Sequence, residues 1–242
     1  MTFSLIGRCK RTGRLGLGIT TYSLAVGGRC EGVVANVGIC KTQAFPNRTN
    51  DPLGIKLLAQ GYLPAEVMNK FAINDTEHGY RQIAIMDRDG KVAAHTGPGC
   101  RGWAGHKEGA DCVAFGNGLL GPQVLDGMIA GFLEKPDDAL EYRLMRAIEG
   151  GRDAGGQGPA DAHRTERSAA IKVVDRRDFP DVDVRVDVHE TAVEELRRVL
   201  EEFKLYEEFY RGRDTDPSKA IPQDVFVKQL DARRAASRAQ GG

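Results

Sequence analysis

The chain has 242 residues, 41% of them hydrophobic and 28% charged, which is the composition of one sizeable globular domain with room for an appendage. Lys+Arg and Asp+Glu number 34 each, so the formal net charge is zero and the electrostatic footprint of a nucleic-acid or anionic-membrane binder is missing. No run approaches 18 apolar residues, and the start lacks a basic segment followed by an apolar one, so neither a spanning helix nor a secretory leader is expected. The five cysteines (Cys9, Cys30, Cys40, Cys100 and Cys112) are odd in number and show no CxxC or zinc-type spacing. Reduced thiols in a cytoplasmic protein, with no metal and no organic cofactor, are the expectation.

In chain order, the spacing predicts strands over Thr2–Arg8 and Leu15–Thr21, joined by a turn at Lys10-Arg11-Thr12-Gly13. Alternation places Thr2, Ser4 and Ile6 on one face of the first strand and Phe3 and Leu5 on the other. Residues 32–42 read as one central strand, apolar on both faces. Asp51-Pro52 reads as a helix N-cap followed by Pro at the first helical position, and Gly61 closes that helix. Pro64 opens a second helix carrying Val67, Met68 and Phe71. Arg88-Asp89-Gly90 joins a hairpin of Arg81–Asp87 with 91–96. A glycine-rich stretch over 97–109 precedes a strand at 112–115, and helices are expected over 122–134 and 137–149, the latter ending at Gly150-Gly151. Residues 154–167 read as a loop, 168–175 and 182–188 as strands, and 191–210 as a long helix. Grouped strands separated by helix pairs argue against a doubly wound parallel sheet. An α+β fold follows, two antiparallel sheets covered by helix layers, with a domain over 1–211 and a polar C-terminal extension over 212–242, frayed at its tip.

Thr2 is the most informative residue. Loss of Met1, usual before so small a residue, would leave a hydroxyl and a free α-amine on Thr2. A threonine hydroxyl needs a base to become a nucleophile, and an α-amine with an ordinary pKa of about 7.7–8.0 can serve as one. This is the chemistry of N-terminal-nucleophile (Ntn) hydrolases, and here it would require only removal of Met1.

A series of short motifs runs through the first two hundred residues: Thr2-Phe3-Ser4-Leu5-Ile6, Thr42-Gln43-Ala44-Phe45, Ala94-His95-Thr96-Gly97, Trp103-Ala104-Gly105-His106 and Gly116-Asn117. Ala154-Gly155-Gly156, Ser168-Ala169-Ala170 and Arg185-Val186-Asp187-Val188-His189 continue it. In that order they resemble the bacterial domain of unknown function 1028 family, described as predicted Ntn-hydrolases. The resemblance implies a four-layer αββα sandwich, an amidohydrolase activity without cofactor, and a homodimer, but no particular substrate. The chain departs from the family pattern at Gln157, where Asp is usual; at Arg164-Thr165-Glu166-Arg167, where Arg-Gly-x-Gln is common; at Lys41, where a small residue is common; and at Val188, where Asp is usual. If the usual Asp orients a substrate amine or the nucleophile, Gln157 removes a charge there, and either altered specificity or loss of activity would follow.

The candidate catalytic residues are therefore Thr2, with Asn117 as an oxyanion donor and Lys41 as a charge that favours the activated nucleophile. Candidate contacts to a small-molecule amide are Ser4, Gln43, His95, Trp103, His106 and Gln157. Two other readings stand beside this one: a non-catalytic ligand-binding relative, and a thiol hydrolase using Cys100 with His95 or His106. Asp183, Asp187 and His189 share a strand face and read as a solvated edge or helix cap rather than a metal site.

Overall fold

The computed structural model describes residues 1–240, with side chains described through 236. The strands are β1 (Thr2–Arg8), β2 (Leu15–Thr21), β3 (Val33–Val34), β4 (Gly38–Ala44), β5 (Arg81–Asp87), β6 (Val92–Thr96), β7 (Trp103–Gly109), β8 (Cys112–Leu119), β9 (Ser168–Val174) and β10 (Val182–Val186). The helices are α1 (Asn50–Ala59), α2 (Pro64–Asn74), α3 (Gln123–Leu133), α4 (Leu140–Asp153), α5 (Ala192–Thr215) and α6 (Gln223–Gln240). A six-stranded sheet has the order β10-β9-β2-β1-β8-β7 and a four-stranded sheet the order β3-β4-β5-β6. Every pairing is antiparallel. The α+β sandwich expected from the grouped strands is the fold observed.

Side-chain alternation builds the layers. Ile6, Leu17, Ile19 and Phe115 of the larger sheet meet Ile39, Ala84 and Met86 of the smaller one in a core between the sheets. The opposite faces of β4 and β5 present Cys40, Ile83 and Ile85 to Leu58, Val67 and Phe71 of α1 and α2. On the far side of the larger sheet, a Cβ at Gly7 would lie 2.7 Å from the Phe132 ring of α3, and one at Gly151 of α4 would lie 2.9 Å from the Phe3 ring. The layers thus run α1/α2, small sheet, large sheet, α3/α4.

Several elements differ from the sequence reading. The expected strand over 32–42 is a hairpin, because Asn36 takes φ 59° and turns β3 back onto β4. The glycine-rich stretch contains an edge strand, β7, whose polar sequence Trp-Ala-Gly-His-Lys-Glu-Gly shows no apolar alternation. Helix α4 runs through Gly150-Gly151 instead of stopping there. A Cβ on Gly127 or on Gly150 would each sit 2.3 Å from the other's carbonyl oxygen, so the pair serves the close approach of α3 to α4, not a helix end.

Two compact units are present, Met1–Arg197 and Arg198–Gly242. In the second unit the helix expected over 191–210 continues to Thr215 in α5, and α6 (Gln223–Gln240) forms within the stretch read as a polar extension. Within it, Phe209 stacks on Phe226 at 4.3 Å and Tyr206 meets Phe226 edge-on at 5.1 Å. Arg234 also pairs with Glu202 at 2.6 Å. Phe226 and Leu230, four apart, supply the apolar stripe that a mean polarity conceals. The expected fraying at the tip lies outside the described residues.

Candidate active site

Thr2 opens β1 between two neighbours, opposite Thr21 of β2 and Asn117 of β8. Its Oγ1 lies 2.9 Å from Thr21 Oγ1. Thr21 spends its own proton on the Met1 carbonyl at 2.6 Å, so Thr2 is the donor in the pair. The Thr2 oxygen thereby keeps its lone pairs free at the wall of a cleft of about 620 Å3, open mouth included, which Lys41, Arg29 and Arg48 also line. The amino group of Met1 is half-buried here, and burial lowers its pKa below the ordinary 8.0.

Lys41 and Gln43 lie two apart on β4 and line the same cleft. The Lys41 ammonium is 3.0 Å from Asp51 Oδ2, and the two side chains are only 6% and 2% exposed. Asp51 Oδ1 also accepts the Thr42 N–H at 2.7 Å. Burial raises the Asp51 carboxyl, while Lys41 and the Thr42 amide pull it back down. The sequence reading of Asp51 as a helix cap is corrected: Thr49 occupies the cap position, and Asp51 sits inside the first turn of α1 with its carboxylate turned onto β4. Asp51 is thus a site residue that the sequence hides, because Asp-Pro at a helix start reads as capping chemistry.

A second residue the sequence hides is Gln82, fully buried on β5. Ser4 Oγ donates to Gln43 Oε1 at 2.7 Å, and Gln43 Nε2 donates to Gln82 Oε1 at 2.9 Å. Asn117 Nδ2 donates to that same Gln82 oxygen at 3.0 Å. The Gln82 amide nitrogen faces Thr96 Oγ1 at 3.1 Å and the carbonyls of Gly105 and Gly116 at 3.0 and 2.8 Å. Thr96 then meets His106 Nδ1 at 2.9 Å, a contact in which the hydroxyl donates if it accepts from Gln82. Ser4, Gln43, Asn117 and His106 therefore belong to one polar network running between the sheets. Ser4 is sealed inside it rather than open to the cleft.

Trp103 and Asn117 line a second cleft of about 1020 Å3, open mouth included, with Met1 and Phe45. His95 is held away from both clefts, donating from Nε2 to the His78 carbonyl at 3.1 Å and stacking on the His78 ring at 3.9 Å. Burial lowers the His106 pKa. Gln157 is fully buried outside both clefts: its Oε1 accepts the Tyr22 N–H at 2.9 Å and its Nε2 donates to Glu166 at 3.2 Å. At this position an amide ties two loops together. The Cys100 thiol points at the Tyr80 and Arg81 carbonyls, and burial raises its pKa, the direction opposite to activation. Among the described residues no group of three His, Cys, Asp or Glu side chains is placed to hold a metal ion, and His189 Nδ1 instead accepts the Thr191 N–H at 3.1 Å. No helix among the described residues is long and apolar enough to cross a membrane.

Fold and site define a four-layer αββα protein whose first strand delivers a threonine hydroxyl to a cleft holding a sealed Lys–Asp pair. The model of the family of unknown function DUF1028 matches residues 2–196, and the chain belongs to that family. The chain is similar to a protein of the same family from Silicibacter pomeroyi whose crystal structure is known, with 29% identity, a TM-score of 0.72, and coverage of 83% of this chain and 88% of that one. No curated protein matches the chain.

Proposed function

We propose that this chain is an N-terminal-nucleophile hydrolase of small-molecule amides, with Thr2 as nucleophile once Met1 has been removed. The observation that carries this reading is the Thr2 hydroxyl, at the start of a central strand, facing a cleft whose wall also holds the Lys41 ammonium. Loss of Met1 moves the terminal amine onto Thr2, beside its own hydroxyl. That amine takes the hydroxyl proton as Oγ1 attacks the amide carbonyl and the C–O bond forms. The second Asn117 amide proton favours the oxyanion, and the Lys41–Asp51 pair holds the polar wall of the cleft in place beside it. Collapse breaks the C–N bond, and the departing amine receives the proton from the α-ammonium. Water then cleaves the ester, releasing the acid and restoring the hydroxyl.

The test is hydrolysis of a panel of small amides, ureido acids and cyclic imides by chains beginning at residue 2. Thr2→Ser retains turnover and Thr2→Ala loses at least about a thousandfold. Equal rates in wild type and Thr2→Ala would refute the proposal.

A further inference from the structure

We infer that the site takes an N-acylated amino acid, with its carboxylate on the Arg29 side of Thr2 and an apolar acyl group against Trp103 and Phe45 on the other. This rests on Thr2 as the reacting group and adds the substrate class. In the Thr2 cleft two of the three cations are already neutralised: Lys41 by Asp51, and Arg48 by Glu31 at 3.1 Å. Among the described residues no carboxylate lies within ion-pair distance of Arg29, which is exposed at the cleft wall. A free guanidinium beside a reactive hydroxyl is a fork for an incoming carboxylate.

The second cleft has the complementary chemistry. Phe45, Trp103, Leu119 and Pro159 form its walls, and no acidic side chain lines it. Its arginine, Arg101, lies over the Phe45 ring with the guanidinium carbon 5.1 Å from the ring centroid, extending the flat wall. An aromatic-sized acyl group fits such a slot.

The two clefts meet at Met1 and Ala44, which line both. Ala44 holds φ 70°, a left-handed backbone that costs an L residue strain and marks this junction as over-determined by its surroundings. The Met1 side chain packs down on Gly118, where a Cβ would come within 2.2 Å of Met1 Cγ. Met1 is thus the partition between the cleft that holds Arg29 and the cleft walled by Phe45 and Trp103. Its removal both frees the Thr2 amine and joins the two clefts across Thr2, so that a two-armed amide places its C–N bond at the nucleophile.

The test measures binding in a chain that begins at residue 2 and carries Thr2→Ala, which cannot turn over, so affinity is read apart from catalysis. The probes are N-benzoylglycine and its two halves, benzamide and N-acetylglycine, titrated by calorimetry. The whole probe binds at least tenfold more tightly than either half. Arg29→Ala weakens N-benzoylglycine and N-acetylglycine about tenfold and leaves benzamide alone; Trp103→Ala weakens the two benzoyl compounds and leaves N-acetylglycine alone. A preparation retaining Met1 binds the whole probe no better than the halves. The inference is overturned if the whole probe has no advantage in the chain lacking Met1, or if Arg101→Ala rather than Arg29→Ala abolishes discrimination for the carboxylate. Tight binding without hydrolysis by wild type would sink the nucleophile and keep the substrate class; hydrolysis of amides with no preference for N-benzoylglycine would do the reverse.

Discussion

Asp51→Ala is the most searching perturbation of the site's electrostatics. It removes the carboxylate paired with Lys41 and strands an ammonium whose side chain is only 6% exposed. It also takes the acceptor from the Thr42 N–H, bonded at 2.7 Å in the intact protein. Breaking a buried pair from one side costs about 3–5 kcal/mol, because the remaining charge keeps its desolvation penalty and loses its compensation. For a protein of this size that lowers the Tm by roughly 6–20 °C. Urea unfolding followed by Trp103 fluorescence measures it directly, since Trp103 is the only tryptophan and lies in the unit Met1–Arg197. Asp51→Asn, which keeps an oxygen for Thr42, loses about half as much. Replacing both partners together, Lys41→Met with Asp51→Leu, returns stability to within about 1–2 kcal/mol of wild type. A loss under about 1 kcal/mol for Asp51→Ala would refute the buried pair.

Gln82→Leu deprives Asn117 and Gln43 of the oxygen they share, and should cost about 2–4 kcal/mol in urea unfolding while lowering kcat more than it alters KM; unchanged stability would show that the network does not hold Asn117 in place. Asp75 is held at about 2 by a two-point pair with Arg81, at 2.9 and 3.2 Å. A carboxylate depressed below its unfolded value near 3.9 stabilises above that value and loses the contribution as pH falls through about 2. Asp75→Asn should therefore cost about 1 kcal/mol at pH 6, after discounting for solvent screening, and the difference from wild type should vanish between pH 4 and 2. Gly127→Ala drives a methyl to 2.3 Å from the Gly150 carbonyl and should cost about 2–3 kcal/mol by forcing α3 from α4; an unchanged Tm would deny that close approach.

What the sequence makes legible follows from how local the cause is. Strands β1, β2 and β5 carry their own alternation and turn residues, so their limits are readable within the chain. Strand β7 has no such pattern, because its regularity comes from pairing with β8 at the sheet edge. Gly150-Gly151 looks like a helix stop until Gly127 is placed against it, and only the tertiary fold does that. The same division runs through the site. Thr2 and Gln43 are visible as polar residues near strand ends, and Lys41 as a charge within a mostly apolar strand. Asp51 and Gln82 take their roles from partners 10 and 39 residues away, and neither position announces that partner. Gln157 shows the converse: a departure from a family motif draws attention to it, yet its amide binds Tyr22 and Glu166 beneath the surface.

The claim on which the functional account turns is that Thr2, freed of Met1, forms an ester with the acyl group. Intact mass followed by peptide mapping after exposure to p-nitrophenyl acetate tests it. The account predicts one acetyl group on the Thr2 hydroxyl of the chain beginning at residue 2 and none there while Met1 remains. An acetyl group on Cys100, or equal labelling of Thr2 with and without Met1, would contradict it.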